Sequence, residues 1–166
     1  VLIHAQLLGT DQLDALKRAA IIPSFFVAHV LHWGDVHIKN FGFERASSIS
    51  PLRSALKKDI LFTLHQDSPV IRPDMTETIW CAVERKTADG KTLGEEERID
   101  VFSALKAATA NAAYQYFEEK TTGTLKTVKR ENLVVLSENP LRCPAEKLRD
   151  IRVEQTIKDG ETVFRL

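Results

Sequence analysis

Ile21-Ile22-Pro23-Ser24-Phe25-Phe26-Val27-Ala28, running into His29, is the stretch on which the fold turns. It is an apolar run of strand length, and Pro23 stands near its start, where a strand tolerates a missing N–H. Working back, Val1 to Ile3 is a fully apolar run of β-formers ending at His4. Such a strand needs cover on both faces, the habit of parallel sheets. Between the two, Leu7-Leu8-Gly9 leaves the strand, Thr10 can N-cap a helix with Asp11 in its first turn, and Leu13, Leu16, Lys17 and Ala20 share one face. Working forward, Val30 to Asn40 is polar and aromatic, with His32, Trp33, Gly34, Asp35 and His37, and reads as a surface loop. Ser50-Pro51 forms an N-cap and N1 pair for a helix from Leu52 to Lys58. A third strand, Ile60 to Leu64, ends at His65-Gln66-Asp67. The result is a βαβαβ run with right-handed crossovers.

Beyond Asp67 the texture changes. Asp74 and Glu77 form a capping-box pattern ahead of Ile79, Ala82 and Val83, and Ala88-Asp89-Gly90-Lys91 is a turn. Asp100 caps one long helix from Val101 to about residue 117, with alanines at 104, 107, 108, 110, 112 and 113 that allow close backbone approach. From Gly123 the chain becomes β. Leu133 to Leu136 reads as a short buried strand, and Asp150 to Leu166 as a hairpin around Asp159-Gly160. Pairing across that turn puts Ile151, Val153, Ile157, Phe164 and Leu166 on one apolar face, which needs a partner sheet. The one candidate boundary lies near residues 118–123.

Lys+Arg and Asp+Glu cancel at 23 each and the sequence pI is near 7.1, so no positive field exists to hold a nucleic acid. No apolar run is long enough to span a bilayer, and no secretory leader pattern occurs, which points to a cytoplasmic protein without membrane contact. Cys81 and Cys143 lack CxxC spacing and read as free thiols. The abrupt entry into a strand at Val1, without an initiator Met, reads as a fragment with earlier strands missing.

His4, His29 and Asp67 each follow a parallel strand, and in parallel α/β folds ligands collect at the carboxyl ends of strands. Imidazole with carboxylate suits Zn²⁺, which can bring the pKa of a bound water to about 7, and a neighbouring carboxylate such as Asp67 can then move protons. A histidine at a strand end is more often a hydrogen-bonded structural residue than a ligand. His32 and His37 lack the HExxH helix pattern, and Asp67 before Ser68-Pro69 is also good turn chemistry.

A resemblance adds weight to the ligand reading. The segments Ile22 to His29, Trp33-Gly34-Asp35, Glu44-Arg45-Ala46, Ile49 to Leu56 and Phe62 to Val70 come in order. Ile79 to Val83, Ala107 to Tyr114, Ile151-Arg152-Val153 and Asp159-Gly160 continue the series. Together they resemble the exoenzyme-type branch of the amidohydrolase superfamily (amidohydrolase family 3, the branch that includes N-substituted formamide deformylase), over essentially the whole chain.

The resemblance implies an α/β fold: a metal-dependent (β/α)8 TIM barrel beside a small β-sandwich. Residues 1–120 would supply the last three barrel strands and their helices, and residues 121–166 the C-terminal strands of the sandwich. It implies hydrolysis of a non-peptide carbon–nitrogen bond in a small amide or formamide-like substrate by metal-activated hydroxide, with one or two zinc ions in the full-length parent. Ile3-His4-Ala5-Gln6 resembles the strand-six motif, making His4 a metal ligand or hydroxide contact. Asp67 matches the strand-eight aspartate, both metal-proximal and the catalytic proton shuttle. His29 and His65 would face substrate or support the ligands from behind, and Trp33, also a candidate substrate contact, would shape the pocket together with Asp35.

The family's strand-one His-x-His, its strand-four bridging residue and its strand-five His have no counterpart here, which leaves at most two ligands. The isolated chain is therefore expected to bind zinc weakly and not to turn over. Thr127 to Asn132 keeps Lys129 of the family's turn before the sandwich strand but lacks its Pro-Gly and Asp. The competing expectation is a non-catalytic remnant acting as a folding or assembly module, able to self-associate through exposed strand edges.

Overall fold

A computed structural model describes residues 1–166. Three short parallel strands, β1 (Leu2–His4), β2 (Pro23–Phe25) and β3 (Thr63–Leu64), form one sheet in the order β1-β2-β3. Ser24 lies opposite Ile3 on one side and Thr63 on the other, which aligns the carboxyl ends of the strands. β2 is buried along its length. Val1, Leu2 and Ile3 instead remain 60%, 37% and 53% exposed, against the expected two-sided cover, because β1 is an edge strand.

Helix α1 (Leu13–Arg18) connects β1 to β2. The turn before it, Thr10–Gln12, starts from Gly9, whose N–H donates to the Gln12 side chain at 2.9 Å, so Thr10 is not its N-cap. The largest departure follows β2. Val30 to Asn40 is no loop but most of a helix, α2 (His29–Phe41), then α3 (Phe43–Ser47). Gly34 is buried mid-helix, where a Cβ would stand 2.7 Å from a Thr87 methyl, so this glycine serves close packing rather than a turn.

α4 (Leu52–Lys57) begins as expected, but Pro51 occupies the cap position and the buried Ser50 hydroxyl bonds nothing. α5 (Met75–Glu84) opens on Asp74, whose carboxylate accepts from the Glu77 N–H at 3.0 Å. The helix expected over residues 101–117 breaks at Thr109 (φ −124°, ψ −83°) into α6 (Val101–Ala108) and α7 (Ala110–Gln115). Thr109 Oγ1 donates to the Leu105 carbonyl at 2.7 Å, the local competition that makes threonine a poor helix-interior residue. Asn111 Nδ2 donates to the Phe62 carbonyl at 2.8 Å and fixes α7 against the sheet.

The second sheet is antiparallel, β4 (Leu133–Leu136), β5 (Val153–Lys158) and β6 (Glu161–Arg165), in that order. Asp159 (φ 50°) and Gly160 (φ 83°) make the expected two-residue turn. The apolar face does not form as the alternation implied. The register slips so that Thr156 faces Phe164 while Ile157 faces Thr162, leaving Val163 as an extra residue. β4 is half exposed rather than buried, with Val134 at 57%. Core residues run from Phe25, Phe26, Val27 and Phe62 through Ile79 and Trp80 to Leu148 and Ile151, so the second sheet is anchored in the same core as the first.

Candidate functional site

The polar residues gather where the parallel strands end. His4 (φ 67°) and Asp67 (φ 53°) both hold left-handed backbone conformations, which cost a non-glycine residue on the order of 1 kcal/mol each and aim these side chains out of their strands. Two backbone bonds tie the strand ends together: the Phe26 N–H donates to the His4 carbonyl and the His65 N–H to the Phe25 carbonyl, both at 3.1 Å. Asp67 also opens the turn its sequence suggested, since its carbonyl accepts from the Val70 N–H at 2.8 Å.

Side chains then connect across all three strands. Ser24 Oγ lies 2.9 Å from His65 Nδ1, and His65 Nε2 lies 3.0 Å from His4 Nδ1. His4 Nε2 faces Asp67 Oδ2 at 3.8 Å. Ser24 is buried, whereas the His4 and Asp67 side chains are 40% and 43% exposed, so the row runs from core to solvent. Burial first, then the positive potential of His4, pushes the His65 pKa down, while Asp67 opposes the shift.

His29 and Trp33 stand apart from this row. Their rings meet on α2 at 4.5 Å between centroids, tilted by 38°, and His29 Nδ1 lies 3.4 Å from His37 Nε2 one turn beyond Trp33. The Phe26 ring separates the two groups, 4.6 Å from His29, 5.9 Å from Trp33, 5.5 Å from His65 and 6.1 Å from His4. Burial against these rings, followed by the positive potential of His37, His4, His32 and His65, lowers the His29 pKa to about 4 and keeps it neutral near pH 7. Burial likewise lowers that of His37. Asp35, expected to help shape the pocket, is taken up elsewhere: it accepts from Thr87 Oγ1, the Asp89 N–H and Lys91 Nζ at 2.9–3.1 Å, holding α2 to the 87–91 turn.

Of the sequence-derived candidates, His4, His65 and Asp67 come together, and His29 and Trp33 form a neighbouring aromatic wall. Ser24, Phe26 and His37 complete the arrangement and were not singled out as site residues. Ser24 had a signal, as a polar residue inside an apolar strand. So did His37: His29, Trp33, His37 and Phe41 recur at every fourth position, a helical stripe. No three His, Cys, Asp or Glu side chains converge on one point. His4 and Asp67 therefore offer two donors suited to a borderline divalent ion, fewer than the three protein ligands of a catalytic zinc site.

The sequence pattern of the amidohydrolase family matches residues 1–164. N-substituted formamide deformylase of Arthrobacter pascens is 31% identical over 77% of this chain and 24% of its own length. Putative amidohydrolase YtcJ of Bacillus subtilis is 27% identical over 98% of this chain and 31% of its own. The chain thus spans 24% to 31% of the length of these relatives. Among solved structures, an uncharacterized metal-dependent hydrolase from Pyrococcus furiosus superposes with a TM-score of 0.69 at 26% identity, over 84% of this chain and 28% of that one.

Proposed function

The chain belongs to the amidohydrolase family, and from that premise we propose that it is the C-terminal part of a metal-dependent hydrolase of non-peptide carbon–nitrogen bonds. In this reading β1 to β3 are the last three strands of a (β/α)8 barrel, and β4 to β6 are the C-terminal share of a β-sandwich. The observation that carries it is the pair His4 Nε2 and Asp67 Oδ2, 3.8 Å apart at the carboxyl ends of parallel strands, where barrel enzymes keep their chemistry.

His4 and Asp67 would hold one face of a divalent cation, zinc by its preference for mixed nitrogen and oxygen donors, with further ligands from outside residues 1–166. When bound, that ion supplies a water of lowered pKa. Asp67, half exposed beside His4, would serve as the proton carrier, accepting a proton from the attacking water and passing it to the departing amine. Neutral His29 and Trp33, with Phe26 behind them, give a flat wall for the substrate. His65 borders the same space. The formamide-like substrate class follows the Arthrobacter relative's name.

Release of amine from N-formyl amines by the gene product carrying this chain is the test. Asp67→Asn is expected to lower kcat about 10²-fold or more, the usual worth of a positioned general acid–base, with a much smaller change in KM. Unchanged turnover in that variant overturns the reading. A second reading, a non-catalytic module that associates with its own kind, is favoured by the exposed apolar edge at Val1 to Ile3. Light scattering at two concentrations separates the two, since a monomer at both removes the second.

A further inference from the structure

The row Ser24, His65, His4 has a direction, and the direction fixes which nitrogen of His4 carries a proton. Each neutral imidazole has one N–H and one bare nitrogen, so a hydrogen-bonded pair of them reads in only two senses. In one, Ser24 donates to His65 Nδ1, His65 Nε2–H donates to His4 Nδ1, and His4 Nε2–H points at Asp67. In the other, every donor reverses, and a bare His4 Nε2 faces the carboxylate, lone pair to lone pair, at 3.8 Å. The anion decides between them. Ser24 agrees from the far end: it is 97% buried, and His65 Nδ1, 2.9 Å away, is the one hydrogen-bond partner its hydroxyl has in the chain. A buried hydroxyl proton without an acceptor is costly, so Ser24 donates.

We propose that Ser24 is a positioning residue, whose hydroxyl sets the tautomer of His65 and, through it, the nitrogen that His4 presents to Asp67. The residue type matters because a bare His65 Nδ1 needs a donor, and the Ser24 hydroxyl is the one within reach. Were a cation to take the His4 Nε2 lone pair, the row would have to reverse, His4 Nδ1–H donating to His65 Nε2 and His65 Nδ1–H to Ser24 Oγ, and the buried Ser24 proton would lose its acceptor. Alanine at 24 offers His65 Nδ1 no donor.

The catalytic relevance of this row rests on the hydrolase reading above, but its tautomers do not, and they are measured without any turnover. Long-range ¹H–¹⁵N correlation of the 166-residue chain at pH 8 distinguishes protonated from bare ring nitrogens for its five histidines. His4 and His65 are expected as Nε2–H tautomers with bare Nδ1. In Ser24→Ala the ratio of the two tautomers at His4 should fall about fivefold, the net worth of one hydrogen bond. Ser24→Thr, which keeps the hydroxyl, should restore it. A proton on His4 Nδ1 in the unmodified chain overturns the proposal even if neither variant folds. So does a tautomer ratio at His4 that Ser24→Ala leaves unmoved, or one that Ser24→Thr does not recover. Any of these results would leave the hydrolase reading standing.

Discussion

Arg85 illustrates how much can hang on one side chain. It ends α5 in a left-handed conformation (φ 51°) and is fully buried. Its Nε donates to the Leu93 carbonyl at 2.8 Å, Nη2 to Ile49 at 2.7 Å and Nη1 to Ser50 at 3.2 Å. Burial pulls its pKa down to about 10, with Glu97 and Glu96 opposing, so the guanidinium stays charged at neutral pH. Gly94 closes the same region, at φ +71° with the Ser47 carbonyl 2.0 Å from where a Cβ would stand. Arg85→Ala should cost about 3–5 kcal/mol in urea unfolding, because three buried carbonyls lose their donor; a loss below about 1 kcal/mol would show that water replaces it. His29 gives the pH counterpart. Its folded-state pKa, about 4, lies below the ordinary 6.5, so the unfolded chain binds the proton more readily. The stability His29 contributes is full above pH 6.5 and is lost as pH falls through about 4. His29→Gln should flatten the fall in urea midpoint between pH 7 and pH 5; an unchanged slope would assign that dependence to other groups.

At the scale of elements, the two aspartate caps were legible, whereas the caps expected at Thr10 and Ser50 did not form. Asp74 and Asp100 both accept the N–H three residues on, as their spacing implied. For Asp100, burial acts to raise the pKa, but hydrogen bonds from Ser103 and backbone N–H groups outweigh it and hold the carboxyl below its usual 3.8. The cap is therefore complete above that value and fades as pH falls through the lowered one. Asp100→Ala should cost about 1 kcal/mol at pH 7 and almost nothing near pH 2, read from thermal unfolding at both; an equal cost at both would mean the charge is irrelevant. Helix α2 was misread for a physical reason. Its glycine and polar residues resemble loop composition, and Gly34 interrupts the face on which Val30, Leu31 and Ile38 pack into the core, although the stripe from His29 to Phe41 keeps helical spacing. The Thr109 break and the Val163 bulge were equally hidden, since a side-chain bond to Leu105 and a one-residue slip leave no mark on apolar spacing. The strand ends did announce themselves. The strand-end placement of His4 and Asp67 was legible because an apolar run precedes each, whereas the contact between His65 and Ser24 depends on a register that sequence does not carry.

Across the whole molecule, two sheets share one core. Leu148 and Ile151, just before β5, pack with Ile79 and Trp80 of α5, and the Arg149 guanidinium lies 4.8 Å above the Trp80 ring. Leu148 is 2% exposed, so Leu148→Ala should cost about 2–4 kcal/mol. Trp fluorescence and far-UV circular dichroism should still report one shared transition; two separated transitions would mean that the sheets unfold independently. On this frame, β1 and β3 at opposite edges of the first sheet bring His4 and Asp67 face to face. The most direct test is the zinc content of the gene product carrying this chain, measured by elemental analysis for the unmodified protein, His4→Ala, Asp67→Asn and the double variant. If the pair shares an ion, either single change should lower retained zinc and weaken its affinity about 10-fold or more, with the double variant little worse than the worse single. Full zinc retention in both single variants would contradict the account.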